Sequence, residues 1–267
     1  EADLIVAVYP PACRALGQLR ASGQLQTPVW GYLTDPAPNF LWVHPALDEH
    51  LTVGEHTALE VTARYAVPAE AAGPLVGPQF RTVERTSARE EVRTSLGVAR
   101  EDTLALLLLG SLGIGGVHRA ARSLAKAGIH PVVLCARNAK LQRRLSKLPG
   151  VTALGWRTDV DRLICASDVV VHNAGGLCLT EALVVGVPAV TFAAIPGHGK
   201  ANARSLDESG TAPWARNRTE LVRQVARLGR ERHVPWSVGR ETAVRRICAE
   251  LQTRPELTVD LTEVHTA

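Results

Sequence analysis

Asp168-Val-Val-Val-His-Asn-Ala-Gly-Gly-Leu-Cys-Leu-Thr-Glu181 is followed by Gly186-Val-Pro188 and then by Ile195-Pro-Gly-His-Gly-Lys-Ala-Asn202. The first stretch reads as a continuous apolar strand, a glycine turn and a helix start that carries a lone carboxylate; the later pieces repeat the step from strand to loop. The first N–H groups of a helix have no partner within it, and the helix dipole is positive there. Such a turn therefore suits the oxygens of a nucleotide diphosphate. Glu181 lies one turn inside the helix, where an ionised carboxylate, an acceptor only, is placed for ribose hydroxyls. The plain alternatives are a structural glycine turn and an exposed helical glutamate.

Outward from this stretch, apolar runs alternate with amphipathic segments in the βαβ rhythm of a parallel sheet covered by helices. Strands are expected near Leu4 to Val8, Pro28 to Leu33 and Glu49 to Val53, with helices near Ala12 to Ser22 and Glu55 to Tyr65. Residues Gly73 to Ala99 read as a connector in which Ser87-x-x-Glu90 could close a capping box. Thr103 to Leu109 is a strand buried on both faces, leading into the loop Gly110-Ser-Leu-Gly-Ile-Gly-Gly116. Further strands are expected near Pro131 to Cys135, Val151 to Leu154, Asp168 to Val171 and Ala189 to Phe192, which makes five in a Rossmann-like half. Helices follow near Thr219 to Leu228 and Ser237 to Leu251.

At 267 residues, 46% hydrophobic and 21% charged, the chain has the material for two modest α/β lobes and is not disordered by composition. Its five cysteines are odd in number and scattered without a CxxC pair, which fits reduced thiols, a cytoplasmic location and no zinc site. No cluster has metal-ligand spacing, so no metal and no cofactor are expected. No apolar run approaches the roughly 20 residues that cross a bilayer. The net charge of +4 conceals a basic segment: Arg119, Arg122, Lys126, Arg137, Lys140, Arg143, Arg144 and Lys147 occur with no acidic residue among them. Arg119, Arg122 and Lys126 share a helical face, which is either a solvated outer surface or a contact for an anionic membrane surface. Nucleic acid is not expected, since no aromatics interleave with these charges as a stacking platform.

The series Val132-Val-Leu-Cys-Ala-Arg-Asn138, Gly155-Trp156, Ala166-Ser-Asp168, Ala174-Gly-Gly176, Thr180-Glu-Ala182, Gly186-Val-Pro188 and Pro196-Gly-His-Gly-Lys-Ala-Asn202 resembles the family 28 glycosyltransferases. It looks most like the diacylglycerol glycosyltransferases and less closely like the peptidoglycan N-acetylglucosaminyltransferase. Thr34-Asp35, Leu41-Trp-Val-His-Pro45, Asp48 and Gly77-Pro78 carry the same resemblance in the first lobe. It implies the GT-B fold, an α/β architecture of two Rossmann-like lobes with parallel sheets. A partial acceptor lobe is expected over 1–85, a connector helix over 86–102, a nucleotide-sugar lobe over 103–230, and a C-terminal helix and tail over 231–267. With no methionine anywhere, the first lobe is expected to be incomplete, lacking its opening strand and the glycine-rich loop that carries the family's proposed base.

The resemblance assigns Glu181 to the ribose and Trp156 with Arg157 to the uracil, although core packing is an equal reading of Trp156. Gly175, Gly176, Leu177 and Cys178 would face the diphosphate, Cys178 standing where relatives more often have a hydroxyl. Gly110 and Gly113 would let the backbone approach substrate. His198, Gly199 and Asn202 fall in the loop that touches sugar hydroxyls, with His198 and Gly199 departing from the usual pattern. His172 reads as a buried residue at a strand end. Asp35 and His44 are candidates for a general base on the acceptor side; a turn role competes for His44. The expected activity is transfer of a hexosyl or N-acetylhexosaminyl group, with inversion, from a UDP-sugar to a lipid-linked or other hydrophobic hydroxyl acceptor by a cytoplasmic protein peripheral to the inner membrane face. The alternatives are a nucleotide-sugar 2-epimerase and a non-catalytic donor-binding subunit that needs a partner.

Overall fold

The computed structural model describes residues 2–109, 116–173, 175–231, 233–236 and 243–252. The chain forms two compact units, one of residues 1–75 with 238–267 and one of residues 76–237.

The first unit is a four-stranded parallel sheet in the order β1-β2-β3-β4. Its elements are β1 (Ile5–Ala7), α1 (Pro10–Ala21), β2 (Val29–Leu33), β3 (Glu49–Thr52), α2 (Glu55–Tyr65) and β4 (Glu70–Ala71). β2 is buried at all five positions, as a continuous apolar strand covered on both faces must be. One face packs Leu33 against Cys13, Trp42, Leu47 and Val61. The other packs Trp30 and Tyr32 with Leu51 and Ala72.

The second unit contains α3 (Gln79–Thr82), α4 (Arg85–Leu96), β5 (Leu104–Leu108), α5 (Val117–Lys126), β6 (His130–Leu134), α6 (Ala139–Leu145) and β7 (Thr152–Leu154). It continues with α7 (Val160–Ala166), β8 (Val169–His172), α8 (Gly176–Val185), β9 (Ala189–Phe192), α9 (His198–Glu208), β10 (Trp214–Ala215) and α10 (Arg218–Leu228). Its sheet is parallel, in the order β10-β9-β8-β5-β6-β7. From β5 the chain proceeds outward to β6 and β7, and then returns to the other side of β5 as β8. The strand order thus reverses between β5 and β8, the point at which doubly wound sheets open a crevice beyond their carboxyl ends. A last helix, α11 (Ala243–Gln252), returns to the first unit, where the Ala243 amide donates to the Ala72 carbonyl at 2.8 Å and Arg246 pairs with Glu49 and Glu70.

Several expectations shift. The second sheet has six strands rather than five, because β10 is two residues long and too short to show a period. The capping box at Ser87 does not form: α4 begins at Arg85, and the Glu84 carboxylate accepts from the Thr86 and Ser87 amides at 3.1 and 2.6 Å. The expected connector helix is an integral part of the second unit. Asp168, just ahead of β8, accepts from Arg89 Nη2 at 2.6 Å, Arg93 Nη1 at 3.3 Å and the Leu104 amide at 2.7 Å. Arg93, 4% exposed, also donates to the carbonyls of Ala99, Asp102 and Ala166. One buried guanidinium thereby joins α4, the entrance to β5 and the carboxyl end of α7.

Candidate functional site

The helices that follow β5, β8 and β9 begin in a common way. Their N-caps are Gly116, Gly175 and Gly197, and none has a side-chain cap. By contrast α4, α6 and α10 are capped by the side chains of Glu84, Asn138 and Asn217. Side-chain caps are also absent from α1, α2, α3 and α7; at α5, α8 and α9 the N-cap is a glycine and the first-turn amides stay available to an anion. Gly197 adopts φ +81, ψ −123, a backbone state essentially restricted to glycine. Ala136 and Ala193, just beyond β6 and β9, have φ of +48 and +54. These non-glycine residues in the left-handed region mark strained backbone at the same edge of the sheet.

Glu181 lies on the second turn of α8, half-buried and with no hydrogen-bond or ion-pair partner among the described residues. Burial pushes its carboxyl up to about 7. A carboxylate in that state lacks the donors that would stabilise its charge, and neutral hydroxyls could supply them. Cys178 precedes it by three positions on the same helix face. Burial, followed by the proximity of Glu181, pushes the Cys178 thiol up to about 11, so it is a neutral thiol and not a nucleophile. Gly175 and Leu177 are exposed and Gly176 is half-buried, at the head of the same helix.

Trp156, two residues past β7, is 63% exposed, which removes the core-packing reading. The Arg137 guanidinium, beyond the neighbouring β6, lies 5.0 Å from the centroid of its ring. Arg157 is paired with Asp159 through two hydrogen bonds. The expected sugar-facing loop is instead the first turns of α9: His198 is exposed at the first helical position, while Gly199 and Asn202 are buried, Asn202 at 1% exposure. A Cβ at position 199 would stand 3.1 Å from Ile195 Cβ, so the glycine also permits close packing of the loop. Gly110 and Gly113 lie outside the described residues, as does Ala174.

His172, buried at the end of β8 as expected, has Nε2 at 3.0 Å from the Thr191 hydroxyl. In the first unit Asp35 Oδ2 accepts from Trp42 Nε1 at 3.0 Å. His44 Nδ1 accepts from the Ala46 amide at 3.1 Å, which is a turn geometry. A Cβ on Gly17 would stand only 2.4 Å from the His44 side chain, so α1 packs closely on this histidine. The strained alanines were not singled out from the sequence, and Arg137 entered there only as one cation of the basic segment. Arg137 lies within the quoted Val132–Asn138 stretch, but its stacking partner is 19 residues away in the chain.

A second cleft of the same unit opens at the amino ends of the strands, near Arg85, Arg89, Arg93, Arg100 and Asp168. Its two inner arginines are committed to Asp168 and to main-chain carbonyls, so the carboxyl edge is the better candidate. No group of three or more His, Cys, Asp or Glu side chains could hold a metal ion among the described residues. Within those residues no helix is long and apolar enough to cross a membrane.

The strand order is that of a Rossmann-like α/β unit, and the fold is of the GT-B glycosyltransferase type. Solved structures agree: MurG of Acinetobacter baumannii is 19% identical with a TM-score of 0.56, over 85% of this chain and 65% of that one. HepE of Anabaena, solved with UDP and glucose, is 18% identical with a TM-score of 0.56, over 86% and 68%. By sequence the chain is similar to the processive diacylglycerol β-glucosyltransferases of Bacillus cytotoxicus and Bacillus subtilis, at 24% identity over 233 and 241 residues. These alignments cover 85% of this chain in both cases. The chain spans about three-fifths of the length of these relatives, 59% and 61%. The resemblance to the diacylglycerol glycosyltransferases of family 28 is thereby borne out. No family model matches the chain.

Proposed function

We propose that the chain is part of a glycosyltransferase that moves a hexosyl group from a UDP-sugar to a hydroxyl of a lipid or other hydrophobic acceptor, with inversion at the anomeric carbon. The observation that carries this reading is the unpartnered, half-buried Glu181 on a helix whose glycine N-cap leaves the first-turn amides uncapped. In this reading the amides of Gly176, Leu177 and Cys178 hold the diphosphate, and Glu181 accepts from the ribose hydroxyls. Trp156 offers an open indole face to uracil, with Arg157 beside it, while His198, Gly199 and Asn202, at the start of α9, lie nearest the sugar. By the resemblance, Gly110 and Gly113 would let the backbone approach the substrate. The acceptor hydroxyl attacks the anomeric carbon as the bond to the diphosphate oxygen breaks, and helix N-termini stabilise the negative charge that gathers on the departing UDP. No metal ion is needed for this step.

Asp35 and His44 are the acceptor-side candidates for the base. Asp35 is the better of the two, because the Nδ1 lone pair of His44 is taken by the turn and leaves the proton on Nε2. A lipid acceptor fits the names of the relatives. The exposed cations of α5 and α6, none in an ion pair among the described residues, fit an anionic membrane surface on a cytoplasmic face. Calorimetric titration with UDP tests the donor site. Binding to the parent chain and at least tenfold weaker binding to a folded Glu181→Ala variant are expected; equal affinity would refute the assignment.

A further inference from the structure

Arg137 and Trp156 stand on neighbouring turns at the carboxyl edge of the second sheet, and the backbone around them is built for close approach. The β6–β7 ladder runs one step past the strands, the Cys135 amide donating to the Leu154 carbonyl at 2.8 Å, so the two turns leave the sheet side by side. A Cβ on Gly155 would stand 3.2 Å from Gln142 Oε1 and 3.8 Å from the Ala136 carbonyl oxygen, so the glycine lets these turns draw together. Ala136, with φ of +48, holds a left-handed backbone that alanine adopts only at a cost. The next side chain, Arg137, lies over the Trp156 ring, 5.0 Å from its centroid. Arg137 joins no ion pair among the described residues. On the far side of Trp156 in the chain, the Arg157 guanidinium forks onto Asp159 and ties the turn down. Strain, a close-packed glycine and a bidentate pair thus all serve an indole that is 63% exposed and gains little from burial.

We propose that Arg137 is a positioning residue of the donor site: lying over one face of the Trp156 indole, it fixes the ring so that the nucleobase stacks on the open side. It acts through the indole and not on the diphosphate. The proposal rests on the donor reading above, in which Trp156 meets the uracil, and adds what keeps an exposed ring ready for it. A surface indole without such a contact turns among staggered rotamers, and freezing it on binding costs affinity. The cation over the ring offsets that cost before the base arrives. The strain at Ala136 is then the mark of a turn organised in advance for a ligand.

The test is a double-mutant cycle read by chemical-shift titration with uridine and with UDP, in the parent chain, Arg137→Ala, Trp156→Ala and the double variant. Both side chains are exposed, so all four proteins should fold and melt alike. Arg137→Ala is expected to weaken uridine and UDP by the same factor, about threefold, as the loss of one surface cation–π contact implies. In the Trp156→Ala background, Arg137→Ala should change neither affinity further, because the cation then has no ring to hold. A loss for UDP alone would place Arg137 on the phosphates and overturn the proposal. The same threefold loss without Trp156, or parent affinity for both ligands in Arg137→Ala, would overturn it equally. Full uridine affinity in Trp156→Ala would instead refute the placing of uracil at this indole, on which the proposal rests. A parent chain that binds neither ligand would refute the donor reading itself.

Discussion

At the residue scale, the tension sits on Glu181. Its carboxyl is raised from the ordinary carboxylate value of 4.5 to about 7 by burial, so the folded state binds a proton that the unfolded chain has already released. Stability is then highest below about pH 4.5, falls as the pH rises from there to about 7, and stays at its lower level above. The full shift corresponds to at most about 3 kcal/mol, less whatever solvent screening removes. Glu181→Gln should therefore raise the melting temperature of the unliganded protein by a few degrees at pH 8 and hardly at all at pH 4, as scanning calorimetry would read it. The same substitution should weaken UDP binding. UDP affinity of the parent should rise with pH through 7 as the carboxylate ionises, and a flat profile from pH 5.5 to 8.5 would separate Glu181 from the ribose. On the proposed donor reading, this is stability given up for function at a single group.

At the element scale, glycines and one arginine decide how the helices are seated. α8 ends at Gly186, whose φ of +84 lets its amide and that of Val187 satisfy the last carbonyls of the helix. A Cβ there would lie 2.9 Å from Pro235 Cγ. Gly186→Ala should cost roughly 2 kcal/mol or more, combining the strain of the left-handed backbone with a contact that a proline ring cannot relieve. Urea denaturation would measure it, and a loss below 0.5 kcal/mol would contradict the geometry. Arg93→Ala should cost more, about 3 kcal/mol or above, because it strips four acceptors at the junction of α4, β5 and α7. Arg89→Ala should cost distinctly less, since Arg89 is more exposed and Arg93 would still hold Asp168. These roles were partly legible. The αL glycine follows from Gly186-Val-Pro188 at a helix end, whereas nothing local in Ser-Ala-Arg-Glu-Glu-Val-Arg announces that one arginine is buried and the next exposed face is not.

At the scale of the whole molecule, charge is distributed unevenly. Val117, Ala120, Ala121 and Leu124 bury one side of α5, which leaves Arg119, Arg122 and Lys126 outward without an acidic partner among the described residues. Reversing these three to glutamate should abolish salt-sensitive binding to vesicles containing anionic lipid and leave UDP affinity within twofold, at about 1 kcal/mol of surface binding per cation removed. Vesicle sedimentation at low and high salt would decide; unaltered binding would return this face to a merely solvated one. The alternating apolar runs determined the parallel α/β class, most strand positions, the amphipathic basic helix and the glycine turn ahead of Glu181, because each is written in residues adjacent in sequence. Two-residue strands such as β4 and β10 were not legible, since pairing and not composition creates them. Tertiary structure alone decided that Trp156 faces solvent beside Arg137, that Glu181 is half-buried without a partner among the described residues, and that His172 bonds across to Thr191 of the neighbouring strand. Burial and partnership depend on which distant segments the sheet order brings together, and that order is a property of the folded chain.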